Sequence, residues 1–345
     1  MRLTGQTATI ALAVLLAAAS APAVAQAETA AEFYKGKTVT LVAGFPPGGG
    51  YDTYVRVLAR HYGRFIPGQP NVIVANMPGA GSLTAANNIY AKYAPDGLAL
   101  AMFASSAAME PLIGNKSALF EPMKFSWIGS MSQDVAYCGV WQHPGGAMTF
   151  DEMLTRETII GGGAPAAITY QHPMVLKNVL KANLKVIQGY KGTRDINIAM
   201  QRGEVNGTCG MFGSSVNSQF GAEVKDGRMR LFIQMGSKRS NDFGKIPSVF
   251  DYAKTDEDRA ILQFHFGQLL LGRPLAGPPG IPTDRLAALR TALFATMKDA
   301  QFMAEANKAG LDIDPVPPDE VMALLKQFSA FSPAILEKAK DAMGR

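Results

Sequence analysis

The chain has 345 residues and a formal net charge of +5, with lysine and arginine scattered along its length. Nucleic-acid binding would call for a basic stripe with interleaved aromatic residues, and the sequence has no such stripe. Length and composition therefore favour a globular protein of two domains and exclude a nucleic-acid-binding protein.

The first 27 residues have the three parts of a secretory signal peptide. Arg2 gives a positively charged start, and the apolar run from Ile10 to Ala19 is too short to span a bilayer. Small residues then form overlapping cleavage sites that end at Ala25 and Ala27. No cysteine follows for lipid attachment, and no later run approaches about eighteen apolar residues. We therefore expect a soluble chain that is exported to the periplasm.

Beyond this segment, short apolar strands alternate with amphipathic helices, which is typical of parallel α/β sheets. We predict strands over residues 38–43, 71–75 and 98–103, followed by glycine loops at 44–50 and 76–81 and by small residues at 104–107. After residue 130 the pattern resumes, with a third glycine loop at 161–165. The sequence therefore predicts two α/β blocks, at 28–130 and 131–237, and a mostly helical region beyond residue 282.

The glycine loops share one design, in which a strand ends, small residues follow and a helix begins. Glycine lets backbone N–H groups approach a ligand closely, and a helix start adds unsatisfied N–H donors and the positive end of the helix dipole. In open parallel sheets such loops gather at the carboxyl ends of the strands. Any one loop is better explained as an ordinary turn, but their repetition after successive strands predicts an anion-binding cleft.

Patterns of several enzyme classes are absent from the sequence. The glycines at 48–50 lack the spacing of a dinucleotide-binding fingerprint, and there is no G-x-S-x-G nucleophile elbow. The four histidines do not have the spacing of zinc ligands. We therefore expect neither enzyme activity, nor a cofactor, nor a metal.

Some single residues allow two interpretations. Asp52 is either the N-cap of the helix after the first loop or a catalytic carboxylate, and we expect the N-cap, which would also hold the loop in shape. Ser105 and Ser106 either donate to a ligand or finish a turn. Cys138 and Cys209 either form a disulfide in an oxidising compartment or are buried thiols in neighbouring strands, and we expect the thiols.

A set of motifs occurs in a fixed order along the chain. It consists of FPPGG at 45–49 with Asp52 and Arg56, NMPGAG at 76–81, PDG at 95–97, GYKG at 189–192 and GEV at 203–205. In this order the motifs resemble those of the tripartite tricarboxylate transporter substrate-binding receptors, also called the Bordetella uptake gene type. The resemblance extends over essentially the whole mature chain. Relatives often carry a basic residue and a glycine where this chain has Met77 and Ser82.

The resemblance implies a two-lobed Venus-flytrap fold of the periplasmic binding protein type II kind. We assign residues 28–130 and 238–345 to lobe I and residues 131–237 to lobe II. The resemblance also implies a ligand carboxylate held by backbone amides and ordered water. The residues that it points to are Gly48, Gly49, Gly50, Tyr51 and Asp52 in the first loop, Gly79, Ala80, Gly81 and Ser82 in the second, and Gly163, Ala164, Ala167, Gly192 and Thr193 in lobe II.

The expected function is capture of a small organic carboxylate by lobe closure. The resemblance implies delivery to a transporter with a large and a small integral membrane subunit, and we expect the receptor itself to be a monomer. Tyr51 would either stack on an aromatic acid or cover the loop. The alternatives are a sensor component that presents its ligand to a signalling protein and an extracytoplasmic hydrolase or lyase of the same fold.

Overall fold

The computed structural model describes residues 28–143 and 146–344, which form two five-stranded sheets with flanking helices. The predicted signal peptide lies outside the described residues. The strands are β1 (Thr38–Ala43), β2 (Asn71–Asn76), β3 (Ala99–Met102), β4 (Ser126–Ser130), β5 (Ala136–Trp141), β6 (Thr158–Gly161), β7 (Leu184–Ile187), β8 (Gly207–Phe212), β9 (Met229–Met235) and β10 (Pro274–Gly277). The α-helices are α1 (Ala30–Tyr34), α2 (Gly50–Tyr62), α3 (Leu83–Ala91), α4 (Ser105–Met109), α5 (Phe150–Met153), α6 (Ile168–Asn178), α7 (Thr193–Gln201), α8 (Gly213–Lys225), α9 (Asp256–Gly267), α10 (Thr283–Thr296), α11 (Ala300–Lys308), α12 (Pro318–Ser329) and α13 (Pro333–Ala342).

The first sheet, on which lobe I is built, has the strand order β2-β1-β3-β10-β4. Strand β1 pairs in parallel with β2 and β3. The carboxyl ends of these three strands therefore lie at one edge of the sheet, where the glycine loops and the small residues begin. Strand β10 runs antiparallel to both β3 and β4.

The second sheet, on which lobe II is built, has the order β7-β6-β8-β5-β9. Strand β6 is parallel to β7 and β8, whereas β5 is antiparallel to β8 and β9. Both sheets are therefore mixed, and each adds one opposed strand to the parallel strands that the alternation of strands and helices indicates. In each sheet, the opposed strand is the one that the chain forms after crossing between the lobes. Strand β5 is the first strand of lobe II, and β10 is the first strand after the chain returns to lobe I. The exact lobe boundaries stay a prediction.

The C-terminal helices extend the core of lobe I. Helices α10 and α12 pack on β4, and α11 packs on α2. On α10, Leu289 and Leu293 are buried, as is Met297 directly after it. Burial of each such side chain contributes about 1.5–3 kcal/mol to folding. No helix among the described residues is long and apolar enough to cross a membrane.

A disulfide joins Cys138 on β5 to Cys209 on β8. The two strands are antiparallel neighbours with an irregularity in register between Tyr137 and Gly139, and the two cysteine Cα atoms are 3.9 Å apart. The expectation of two buried thiols is therefore wrong. Its physical reason is the direct cross-strand position of the two residues, which brings their sulfur atoms together.

Candidate ligand-binding site

A cavity of about 390 Å³ lies between the two sheets, at the carboxyl ends of strands from both lobes. Its size is that of a small-molecule site. Gly48, Asp52, Ser105 and Ser106 do not line it. The predicted ligand-binding residues that do line the cavity are Gly49, Gly50, Tyr51, Gly79, Ala80, Gly81, Ser82, Gly163, Ala164, Ala167, Gly192 and Thr193.

Asp52 holds the first loop in shape from outside the cavity. Its carboxylate accepts hydrogen bonds from the N–H of Gly48 (2.9 Å), from Nε of Arg56 (2.9 Å) and from Nδ2 of Asn76 (2.7 Å). Burial alone would raise the pKa of Asp52, but these hydrogen bonds outweigh burial and lower it. The N-cap prediction is wrong. The N-cap is Gly49, whose carbonyl already accepts from the N–H of Thr53, so the helix begins earlier than predicted.

The second loop has four consecutive residues with positive φ. They are Gly79 (φ 141), Ala80 (φ 47), Gly81 (φ 65) and Ser82 (φ 74), a region that residues other than glycine seldom adopt. The Oγ of Ser82 accepts a hydrogen bond from the N–H of Ala104 (2.8 Å), which ties the loop to the end of β3. Such a run of backbone N–H groups is typical of anion-binding turns.

The lobes are in contact beside this loop. A Cβ on Gly81 would lie 2.4 Å from the backbone nitrogen of Ala167, so only glycine permits this approach. The Oγ of Ser106 donates to the carbonyl of Ala166 (3.1 Å), and this assigns Ser106 to the contact between lobes. Ser105 is fully buried, and its hydroxyl has no hydrogen-bond partner among the described residues.

Three helices from the two lobes start at the cavity: α2 after Gly49, α6 after Ala167 and α7 after Gly192. None of these cap residues offers a side-chain hydrogen bond to the first turn. The first two N–H groups of each helix therefore keep their donor capacity, and the positive ends of the helix dipoles meet at the cavity. This arrangement favours a negatively charged group.

An aromatic wall was not predicted from the sequence. Phe45 stacks on Tyr51 with ring centroids 4.7 Å apart, and Phe212 meets Tyr51 edge-on at 6.2 Å. Tyr51 is buried and its hydroxyl donates to the carbonyl of Gly272 (3.4 Å), so it belongs to the wall of the cavity. Pro46, Pro47, Pro78, Ile168 and Tyr190 add further apolar surface.

Charged and polar residues around the cavity also escaped prediction. Lys191, Arg194 and Asp195 belong to the lobe II side, while Ser215 and the buried Arg273 lie close to Gly50. No signature in the sequence marks Ser215 and Arg273, because they come from distant segments, whereas Lys191 lies within the GYKG motif. Among residues 28–143 and 146–344, no group of three histidine, cysteine, aspartate or glutamate side chains could hold a metal ion.

Comparison with known proteins gives one relative in sequence and several in structure. No family model matches the chain. A UPF0065 protein in the gbd 5' region of Cupriavidus necator is 28% identical over 253 residues, covering 68% of each chain. The periplasmic binding protein BugD superposes with a TM-score of 0.70 at 20% identity, covering 90% of this chain and 98% of BugD.

Two further solved structures contain carboxylates. MatC from Rhodopseudomonas palustris with bound malate has a TM-score of 0.67 at 17% identity, covering 89% of this chain and 99% of MatC. A second R. palustris protein, solved with adipate, has a TM-score of 0.69 at 17% identity, covering 89% and 97% of the two chains. The predicted two-lobed α/β fold is confirmed, as is the predicted family resemblance.

Proposed function

We infer that the chain belongs to the tripartite tricarboxylate transporter substrate-binding receptors of the Bordetella uptake gene type, and we propose that it captures a small organic carboxylate in the periplasm. The observation that carries this proposal is the meeting of three helix starts from both lobes at one cavity. Unsatisfied N–H donors and helix dipoles of one sign favour an anion there.

The solute that fits this site is a carboxylate on a mostly apolar body. The carboxylate would accept hydrogen bonds from the loop amides, while Phe45, Tyr51 and Phe212 would cover the carbon skeleton. Hydrogen bonds to a charged group are worth about 1.5–3 kcal/mol each, so a few of them and lobe closure reach about micromolar affinity. The malate and adipate of the two R. palustris structures are consistent with this class of solute.

The loaded receptor would deliver its solute to the large and small membrane subunits of a transporter. The relative positions of the lobes support capture by closure, since contacts such as Ser106 to Ala166 connect them beside the cavity. We propose no reaction on the bound solute. The solved relatives are binding proteins, and product formation from a bound acid by the purified protein would contradict this part of the proposal.

A thermal-shift screen against an organic-acid panel tests the proposal. A solute that binds the folded state raises the melting temperature, by a margin that grows with its concentration over Kd. We expect malate, adipate or an aromatic acid such as benzoate to raise it, and the matching amides to raise it much less. A melting temperature that no acid of the panel changes would contradict the proposed function.

A further inference from the structure

The guanidinium of Arg273 is fully buried at the wall of the cavity, among aromatic rings from both lobes. Its central carbon lies 4.3 Å from the ring centroid of Tyr51, 4.7 Å from that of Tyr54 and 4.1 Å from that of Phe212. Ring faces attract a cation, but they leave the five N–H donors of a guanidinium without oxygen acceptors.

The hydrogen bonds of Arg273 are incomplete. Nη2 donates weakly to Oγ of Ser214 (3.3 Å), whereas Nε and Nη1 have no hydrogen-bond partner among the described residues. The nearest carboxylate, that of Asp134, is 3.9 Å from Nε, which is too long for a hydrogen bond. A buried charge with unused donors is costly unless an acceptor is supplied.

The position of Arg273 lets a bound solute supply that acceptor. A Cβ on Gly50 would lie 3.3 Å from Nη2 of Arg273 and 2.5 Å from Oγ of Ser215. The guanidinium is therefore directly beside the first residue of α2, where unsatisfied backbone donors face the cavity. A carboxylate has about four acceptor sites, so it can accept from these amides and from a guanidinium together.

We propose that Arg273 binds the carboxylate of the solute and makes the site select organic anions over their uncharged amides. This inference rests on the proposed function of the cavity as a carboxylate receptor. The guanidinium gains a charge-assisted hydrogen bond on binding. An uncharged analogue offers the unused guanidinium donors no charged acceptor, and sites of this kind reject such analogues strongly.

Asp134 acts against the solute in this arrangement, because it is a second buried negative charge near the same guanidinium. Burial raises the pKa of Asp134 to about 6, so its carboxylate is ionised in neutral solution. Replacing Asp134 by a side chain of the same shape without its charge should therefore increase the affinity of the site for a carboxylate.

Calorimetry on the full mature chain at about pH 7.5 tests the role of Arg273. Malate, adipate and benzoate are titrated, each beside its matching amide, into wild type, Arg273→Met and Arg273→Lys. We expect Arg273→Met to weaken acid binding by at least about tenfold and amide binding by less than about threefold, with Arg273→Lys in between. The matched control is Arg290→Met, since Arg290 donates to the carbonyl of Trp127 outside the cavity and should leave the affinity unchanged.

If Arg273 had only a structural role, the variants would show a different pattern of acid and amide affinities. Loss of acid and amide binding by the same factor, or unchanged acid binding in Arg273→Met, would overturn the proposal. If wild type binds none of the three acids, the proposed function itself fails, and this outcome is separate from the behaviour of the variants.

The variant Asp134→Asn keeps the proposal testable if Arg273→Met does not fold. We expect Asp134→Asn to bind the same acids at least about threefold more tightly, with no gain for the amides. Tighter binding of the acids alone is a gain that a distorted cavity would not produce. Unchanged or weaker acid binding in this variant would contradict the assignment of Arg273.

Discussion

At the scale of single residues, Gly49 and Gly81 both lie in loops with a Pro-Gly pair, but their neighbours in the structure differ. A Cβ on Gly81 would collide with the backbone of lobe II, at 2.4 Å from the nitrogen of Ala167 and 2.5 Å from the carbonyl carbon of Ala166. We expect Gly81→Ala to weaken carboxylate binding by at least about tenfold in calorimetry, because the lobes cannot meet.

Gly49→Ala is the matched control for this effect. Its Cβ would meet only the carbonyl of Pro46, at 3.8 Å, and its φ of −90 suits any residue. Its affinity should stay within about threefold of wild type. Equal losses of carboxylate affinity in Gly49→Ala and Gly81→Ala would show that the substitutions weaken binding for a reason other than contact between the lobes.

The same comparison explains which site residues could be predicted. The glycine loops have a local pattern of strand, small residues and helix, which marks Gly50 and Gly81 in the sequence, whereas only the family resemblance points to Gly192. Arg273 and Ser215 reach the first loop from segments far along the chain. Nothing in their own surroundings in the sequence marks them, because only the packing of the two lobes brings them there.

At the scale of elements, the disulfide between β5 and β8 closes a loop with a sequence separation of 71 residues. Cross-linking restricts the unfolded chain, and its loss typically costs about 2–4 kcal/mol. We expect the double variant Cys138→Ala/Cys209→Ala to lose stability of this size in urea unfolding. Carboxylate affinity should stay within about threefold, because neither cysteine lines the cavity.

Wild type in reductant is the control for the double variant. Its unfolding midpoint should move in the same direction, whereas the variant should not respond to reductant. A double variant as stable as oxidised wild type would contradict a stabilising role for this bond.

Strands and helices could be predicted where hydrophobic periodicity was strong. The predicted 38–43 is β1 itself, and the other predicted strands differ from the observed ones by one or two residues at their ends. The short strands β4 and β10 were missed. Strand β10 has only four residues, including Pro274 and Gly277, and its extended form depends on pairing with β3 and β4 on either side.

At the scale of the whole molecule, Asp134 lies where the chain crosses between lobes. Burial raises its pKa to about 6, the carboxylates of Asp312 and Asp314 add to this, and Arg273 and the Ser132 hydroxyl oppose it. The folded state therefore resists its ionisation. The loss of folding stability caused by ionising Asp134 is absent below the ordinary pKa of 3.8, grows with rising pH and is complete above about pH 6.

This sign predicts how stability changes with pH. Between about pH 4 and pH 6, the melting temperature of wild type should fall relative to that of Asp134→Asn, which cannot ionise at this position. Differential scanning calorimetry of both proteins in matched buffers measures the difference. Parallel melting curves across this interval would show that Asp134 does not carry the pKa shift.

The contacts between the lobes are uneven around the cavity. Gly81 meets the backbone of Ala167 closely, whereas even an added Cβ on Gly192 would be 3.8 Å from Pro46. The backbones of the lobes are therefore closer at the Gly81 loop than at the Gly192 loop, where Lys191 and Arg194 are exposed and a Cβ on Gly48 would lie 2.9 Å from Nη1 of Arg194. A solute that entered on the Gly192 side would pass Lys191 and Arg194 first, and these two cations would then raise the rate at which anions encounter the site.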